Sequence, residues 1–156
     1  LIRIRPYASA DLPTLVALFT ASVHTLGAQH YGPEQLAAWA PRPPNLEAWR
    51  QRLEGLTTLV ADDALGPCGF IAWEDDGHIE LLYTAPRCAR RGVATRLVQE
   101  AEDALSAVGV TVFSTEASLG AWPFFETQGF TVVEPQTVTR RGATFTRFLM
   151  KKENTA

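Results

Sequence analysis

The sequence predicts an α/β fold of the α+β kind: one mixed β-sheet flanked by helices. Three observations carry this. Helical hydrophobic spacing dominates the first third of the chain. Short β-rich runs, separated by Gly, Pro and Asp, fill the middle. Helical and strand patterns then alternate, which places a parallel strand pair at the sheet centre. No linker divides the 156 residues, so one domain over 1–156 is expected.

The elements follow in order. "IRIR" (2–5) alternates and reads as a strand. Ser9 is the expected cap of a helix whose apolar positions are Leu12, Leu15, Val16, Phe19 and Val23. "HTLGAQHYGPE" interrupts it from His24, and Pro33 suits the first turn of "PEQLAAWA". After the rigid "PRPPN" loop, "LEAWRQRLEG" is helical and ends at Gly55. Strands are expected at 57–62, 68–75 and 78–85, with a hairpin turn at Asp76-Gly77. From Val93 the period is helical again. Val93, Leu97, Val98, Ala101, Leu105 and Val108 share a face, and Gly109 ends the helix. A strand at 110–116, a helix at 118–128 stopped by Gly129, and strands at 130–138 and 143–151 follow.

Composition excludes several function classes. The chain is 46% hydrophobic and 20% charged, which is too apolar for a disordered chain. A net charge of −3 argues against binding nucleic acid through bulk charge. No run approaches the roughly 20 apolar residues that span a bilayer, and no secretory signal pattern opens the chain. Cys68 and Cys88 read as reduced thiols of a cytoplasmic protein. Metal ligation is not expected, since His24 and His30 lack ligand spacing and acidic or Cys partners. A monomer and a homodimer are both compatible with these features.

"APRCARRGVATRL" (85–97) poses a physical question. The first turn of a helix favours acidic side chains, yet Arg90 and Arg91 run into Gly92 at the helix start. A bound anion resolves the conflict. Loop amides and the helix dipole make an anion site, Gly92 lets a phosphate approach the backbone, and Ala94 stays small. Taken alone, the loop also reads as a solvated basic turn. It is neither a P-loop nor a dinucleotide fingerprint.

"LLYTAPRCARRGVATRLVQEAEDAL" resembles the acetyl-CoA-binding motif of the GNAT superfamily of N-acetyltransferases, Q/R-x-x-G-x-G/A opening a long helix. Ala89, Arg90, Arg91, Gly92, Val93 and Ala94 fill the six positions, and Ala89 departs from the Gln or Arg. "ASLGAWPFFETQGF" (117–130) resembles the family segment A-x-x-F-Y-E-x-x-G-F.

The resemblance implies a GNAT-like, centrally splayed sheet and acetyl-CoA as co-substrate. Leu82, Tyr83 and Thr84 would pair with the pantetheine arm. The amides of Arg90, Arg91, Gly92, Val93, Ala94 and Thr95 would cradle the pyrophosphate, with Arg90 or Arg91 adding a side chain. Ser118 falls where relatives have a cofactor-side Asn, although a plain N-cap is its other reading. Phe125 replaces the family tyrosine that protonates the leaving thiolate, and is left as a core or cofactor-wall ring.

The implied reaction is direct attack by a primary amine of a small molecule or peptide. Glu80 is the candidate base and His78 the reserve. Tyr83 or water is the candidate acid. A non-catalytic acyl-CoA-binding module is the alternative. In strict alternation His78, Glu80, Leu82 and Thr84 share one strand face, and Ile79, Leu81 and Tyr83 the other. Acceptor specificity is expected from 24–44 (His24, His30, Tyr31, Trp39) and from 136–145. Glu74, Asp75, Asp76 and Glu80 are candidates to draw in a cationic amine.

Overall fold

The computed structural model describes residues 1–154 of the chain. Strand β1 (Arg3–Pro6) leads through helix α1 (Leu12–Leu26) to two short helices, α2 (Pro33–Trp39) and α3 (Leu46–Glu54). Strands β2 (Thr57–Asp63), β3 (Gly66–Trp73) and β4 (His78–Thr84) form an antiparallel meander. Helix α4 (Val93–Ala107) crosses to β5 (Val112–Ser118), which lies parallel to β4. Helix α5 (Trp122–Thr127) precedes the hairpin of β6 (Thr131–Arg140) and β7 (Ala143–Glu153). One sheet takes the order β1-β2-β3-β4-β5-β7-β6, so the mixed sheet with a parallel centre is observed.

Local chemistry explains most boundaries, and a few differ from expectation. Leu12, Leu15, Val16, Phe19 and Val23 are all buried, as their spacing predicts. Ser9 caps nothing. The chain enters α1 through a 3-10 turn at Ser9–Asp11, and the Asp11 carboxylate, held by Arg5, accepts from the Ala8 N–H at 2.8 Å. Helix α1 continues past His24, whose Nε2 lies 2.8 Å from the Ala40 carbonyl oxygen. Asn45 caps α3 by accepting from the Ala48 N–H. Val108 is 76% exposed because α4 ends one residue before it. Helix α5 is shorter than expected, since Ser118 ends β5 and a turn intervenes.

The two faces of β3 and β4 are covered differently. On one face Phe70 is paired with Tyr83, and Tyr83 meets Phe19 of α1 edge-on at 4.7 Å. On the other, α4 lies so close that a Cβ on Gly69 would come within 2.9 Å of Val93 Cγ1. Strict alternation along β4 does not hold. Trp73 pairs with Ile79 and Ala72 with Leu81, which leaves Glu80 as the extra residue of a β-bulge. The bulge turns Glu80 toward the α1–α3 side, the side that Tyr83 also faces.

Strands β4 and β5 pair only at His78–Ser114 and Ile79–Thr115. Beyond Ile79 they diverge. Leu82, Tyr83 and Thr84 keep their partners Ile71, Phe70 and Gly69 on β3, while their edge toward β5 has no strand partner among the described residues. The sheet is therefore splayed at its centre.

Candidate active site

A cleft of about 990 Å³ runs through the splay. One end is the loop before α4 together with the first turn of that helix, represented by Arg90, Gly92, Val93, Ala94 and Thr95. Gly92 is the N-cap of α4 at φ +80°, with no capping side chain and no acidic residue in the first turn. A Cβ there would meet nothing within 4 Å, so the space beside the helix end is open. Arg90 also has positive φ, at 62°, which is costly for a residue with a Cβ and recurs at functional loops. Uncapped N–H groups and the helix dipole make this end suited to an anion.

The two arginines differ. Arg91 turns away from the cleft, its guanidinium 3.8 Å from Asp63 and 3.8 Å from Cys88 Sγ. Arg87 also bridges Asp63. Hydrogen bonding from Arg87 and from the Leu65 N–H lowers the Asp63 carboxyl to about 2. Of Arg90 and Arg91, only Arg90 lines the cleft.

In the middle of the cleft, β4, α3, β5 and β7 bring together a chain of charges. Arg52 donates to Glu80 at 3.1 Å. His78 Nε2 lies 3.6 Å from Glu80 and 3.1 Å from Glu116, while its Nδ1 lies 2.7 Å from Ser114 Oγ. Arg147 bridges Glu116 from the far side of the splay. Glu80 is thus partnered and still open to the cleft, which resolves the difficulty of a carboxylate in a central strand. Ligand atoms of His78, Glu80 and Glu116 lie within 4.8 Å of one another, as do those of Asp63, Cys68 and Cys88. Arginines already bridge the carboxylates in both groups.

Tyr83 lines the cleft too, packed among Phe19, Phe70 and Trp39. Burial raises its hydroxyl to about 12, against smaller opposing effects of Trp39, Arg52 and Arg140. Ser118 borders the cleft, but its hydroxyl accepts from the Ala121 N–H at 3.2 Å and caps the turn. Phe125 is 3% exposed at the cleft wall, against Phe124 and Phe130.

The acceptor segments also converge. Tyr31 donates to the Thr146 carbonyl at 3.0 Å, Gln35 to Thr144 at 2.7 Å, and Arg141 to Ala38 at 2.5 Å. Tyr31 and Trp39 meet Phe145 at 5.7 and 6.3 Å. His30 packs over Gly120, and His24 Nε2 meets the Ala40 carbonyl oxygen. Glu74, Asp75 and Asp76 lie outside the cleft on the exposed hairpin, where Asp76 accepts from the His78 N–H. Sequence reasoning missed Arg52, Glu116 and Arg147. No local pattern marks them, because three separate elements bring them to β4.

A splayed parallel pair beside an open helix N-terminus is the geometry that the sequence motif implies, and comparison with known proteins agrees. The family described as "Acetyltransferase (GNAT) domain" matches residues 27–153. The chain belongs to the GNAT acetyltransferase family. It is 37% identical over 150 residues to "Uncharacterized N-acetyltransferase YafP" of Escherichia coli K12, covering 96% of this chain and 95% of that protein. A GCN5-related N-acetyltransferase structure from Rhodopseudomonas palustris superposes with a TM-score of 0.94 at 32% identity, covering 97% and 95% of the two chains. The PaiA N-acetyltransferase of Thermoplasma acidophilum, solved with coenzyme A, shares the fold at a TM-score of 0.79 and 21% identity, with 99% of each chain covered. The mixed sheet flanked by helices is thus the GNAT architecture.

Proposed function

We propose that this GNAT chain transfers an acetyl group from acetyl-CoA to the primary amine of a small molecule or peptide. The observation that carries the reading is the meeting, in one cleft, of the unpaired edge of β4 and the uncapped N-terminus of α4. In this reading the loop amides from Arg90 to Thr95 hold the pyrophosphate, and the Arg90 side chain adds charge. The main chain of Leu82, Tyr83 and Thr84 takes the pantetheine arm as an added strand. Phe125 and the Ser118 turn form the cofactor wall.

Glu80 accepts the proton that the amine must lose before attack, since alkyl amines are protonated near neutral pH. His78 and Glu116 extend the acceptor chain toward solvent. A main-chain N–H of β4 stabilises the oxygen that becomes negative on attack. The leaving thiolate takes its proton from water. Tyr83 is the weaker candidate, because a hydroxyl raised to about 12 gives up its proton reluctantly.

A thermal-shift titration with acetyl-CoA, followed by thiol release across an amine panel, tests this. Stabilisation plus amine-dependent release supports it. The buried phenyl ring of Phe125 favours one second reading, an acyl-CoA-binding module without turnover. Saturable stabilisation with no release for any amine would support that module.

A further inference from the structure

The acceptor end of the cleft carries a charge imbalance. Arg140 and Arg141 line it, and Arg52 and Arg147 stand beside it in the middle of the cleft, facing only two carboxylates, Glu80 and Glu116, among the described residues. Arg52 and Arg147 each hold one of those carboxylates. Arg141 donates to the neutral Ala38 carbonyl, which leaves its charge unbalanced. Arg140, the last residue of β6, pairs with Ala143 through its main chain, but its side chain makes no hydrogen bond or ion pair with any described residue, and its field reaches the Tyr83 hydroxyl. This positive end belongs to a chain whose net charge is −3.

A simple cationic amine would be repelled by such a surface. An amine with a second, negative group would not. The neighbouring walls are apolar. Tyr31 and Trp39 meet edge-on at 5.4 Å, and Trp39 and Tyr83 at 6.4 Å. All three rings line the cleft, so an apolar wall stands beside its polar groups.

We infer that the acceptor is an amine carrying an anionic group, with its nitrogen toward Glu80, its anion on Arg140 and its apolar body against Trp39 and Tyr83. The inference rests on the acetyltransferase reading and narrows its substrate class. Arg140 is a specificity residue in this scheme, since it touches the acceptor and not the reacting carbonyl. A guanidinium pairs well with a carboxylate or a phosphonate, so the shared chemistry is the anion.

Calorimetry on the coenzyme A-loaded full chain tests it. The ligands are free amino acids, aminoalkyl phosphonates, and the amide or decarboxylated partner of each amino acid. Thiol release from acetyl-CoA is followed in parallel. At least one anionic amine is expected to bind about tenfold or more tightly than its neutral partner. Arg140→Gln, with an unchanged melting midpoint, is expected to collapse that difference. Arg140→Lys, which keeps the charge, should retain part of it.

Equal or weaker binding of every anionic amine overturns the inference, as does a preference that Arg140→Gln leaves intact. Turnover of neutral amines without anion preference sinks the inference and leaves the acetyltransferase reading standing. Anion-selective binding with no thiol release supports the inference about the pocket and counts against the transfer reaction. Preference for the phosphonates over the amino acids, or the reverse, identifies which anion the arginine serves.

Discussion

Glu80 owes its position to one extra residue in a strand. Its neighbours Ile79 and Leu81 are both buried, while the bulge directs its carboxylate to Arg52 and His78. Glu80→Gln keeps the shape and removes the proposed base. Turnover is expected to fall by about 10²-fold or more, the usual weight of a positioned base, with coenzyme A affinity little changed. Steady-state kinetics and calorimetry on one preparation check both halves. Tyr83→Phe is the companion test. Because its hydroxyl is held near 12, turnover should stay well within a factor of about 10², the lower bound for a working general acid. A larger loss, with the fold intact, would restore Tyr83 as the proton donor.

Among the elements, two turns govern the site. The loop before α4 combines left-handed Arg90 and Gly92 with an open flank. Gly92→Trp fills that flank and is expected to abolish coenzyme A binding. The strained φ alone should lower stability by about 1–3 kcal/mol, so the variant remains folded. A binding isotherm beside a melting curve separates the two effects. The hairpin at Gly77 is less tolerant. A Cβ there would lie 2.5 Å from the Val112 carbonyl oxygen, and the Gly77 carbonyl accepts from Ser114 N–H. Gly77→Ala is expected to destabilise by roughly 2 kcal/mol or more, since strain and overpacking coincide. Denaturant melts measure it.

Asp63 ties β2 to the same loop through Arg87. Its folded pKa of about 2 lies below the unfolded value near 3.9. Its contribution is therefore complete above about pH 4 and disappears as pH falls toward 2. Asp63→Asn should flatten the acid limb of the stability curve in that window. A limb as steep as the wild type's would place the acid sensitivity elsewhere.

At the scale of the whole molecule, the splay is a sheet that stops pairing. Two registered pairs hold β4 to β5, and Thr115 Oγ1 adds a bond to the Ile79 carbonyl at 2.9 Å. Everything beyond is cleft. A ligand seated there joins both halves of the sheet. Acetyl-CoA at about 100 times its Kd adds about 2.7 kcal/mol to the folded state. For a chain of this length that corresponds to a rise of roughly 5–10 °C in melting temperature, read by scanning calorimetry.

How much of this was legible in the chain depends on the range of the interaction concerned. Hydrophobic period, Gly and Pro positions and the "RRGVA" run determined by themselves the element order, the parallel centre and the anion-suited helix start. Those features are local, because a turn, a cap or an amphipathic face is decided within a few residues. The bulge at Glu80 was not legible, since a register shift is set by a partner strand and leaves no mark in the strand that bears it. Nor were the arginines at 52, 140 and 147, or the turning of Arg91 toward Asp63. Arg52 and Arg91 each lie 28 residues from their partners Glu80 and Asp63, and Arg147 lies 31 from Glu116; these side chains meet only when the sheet is assembled, so tertiary structure alone decided which charges share the cleft.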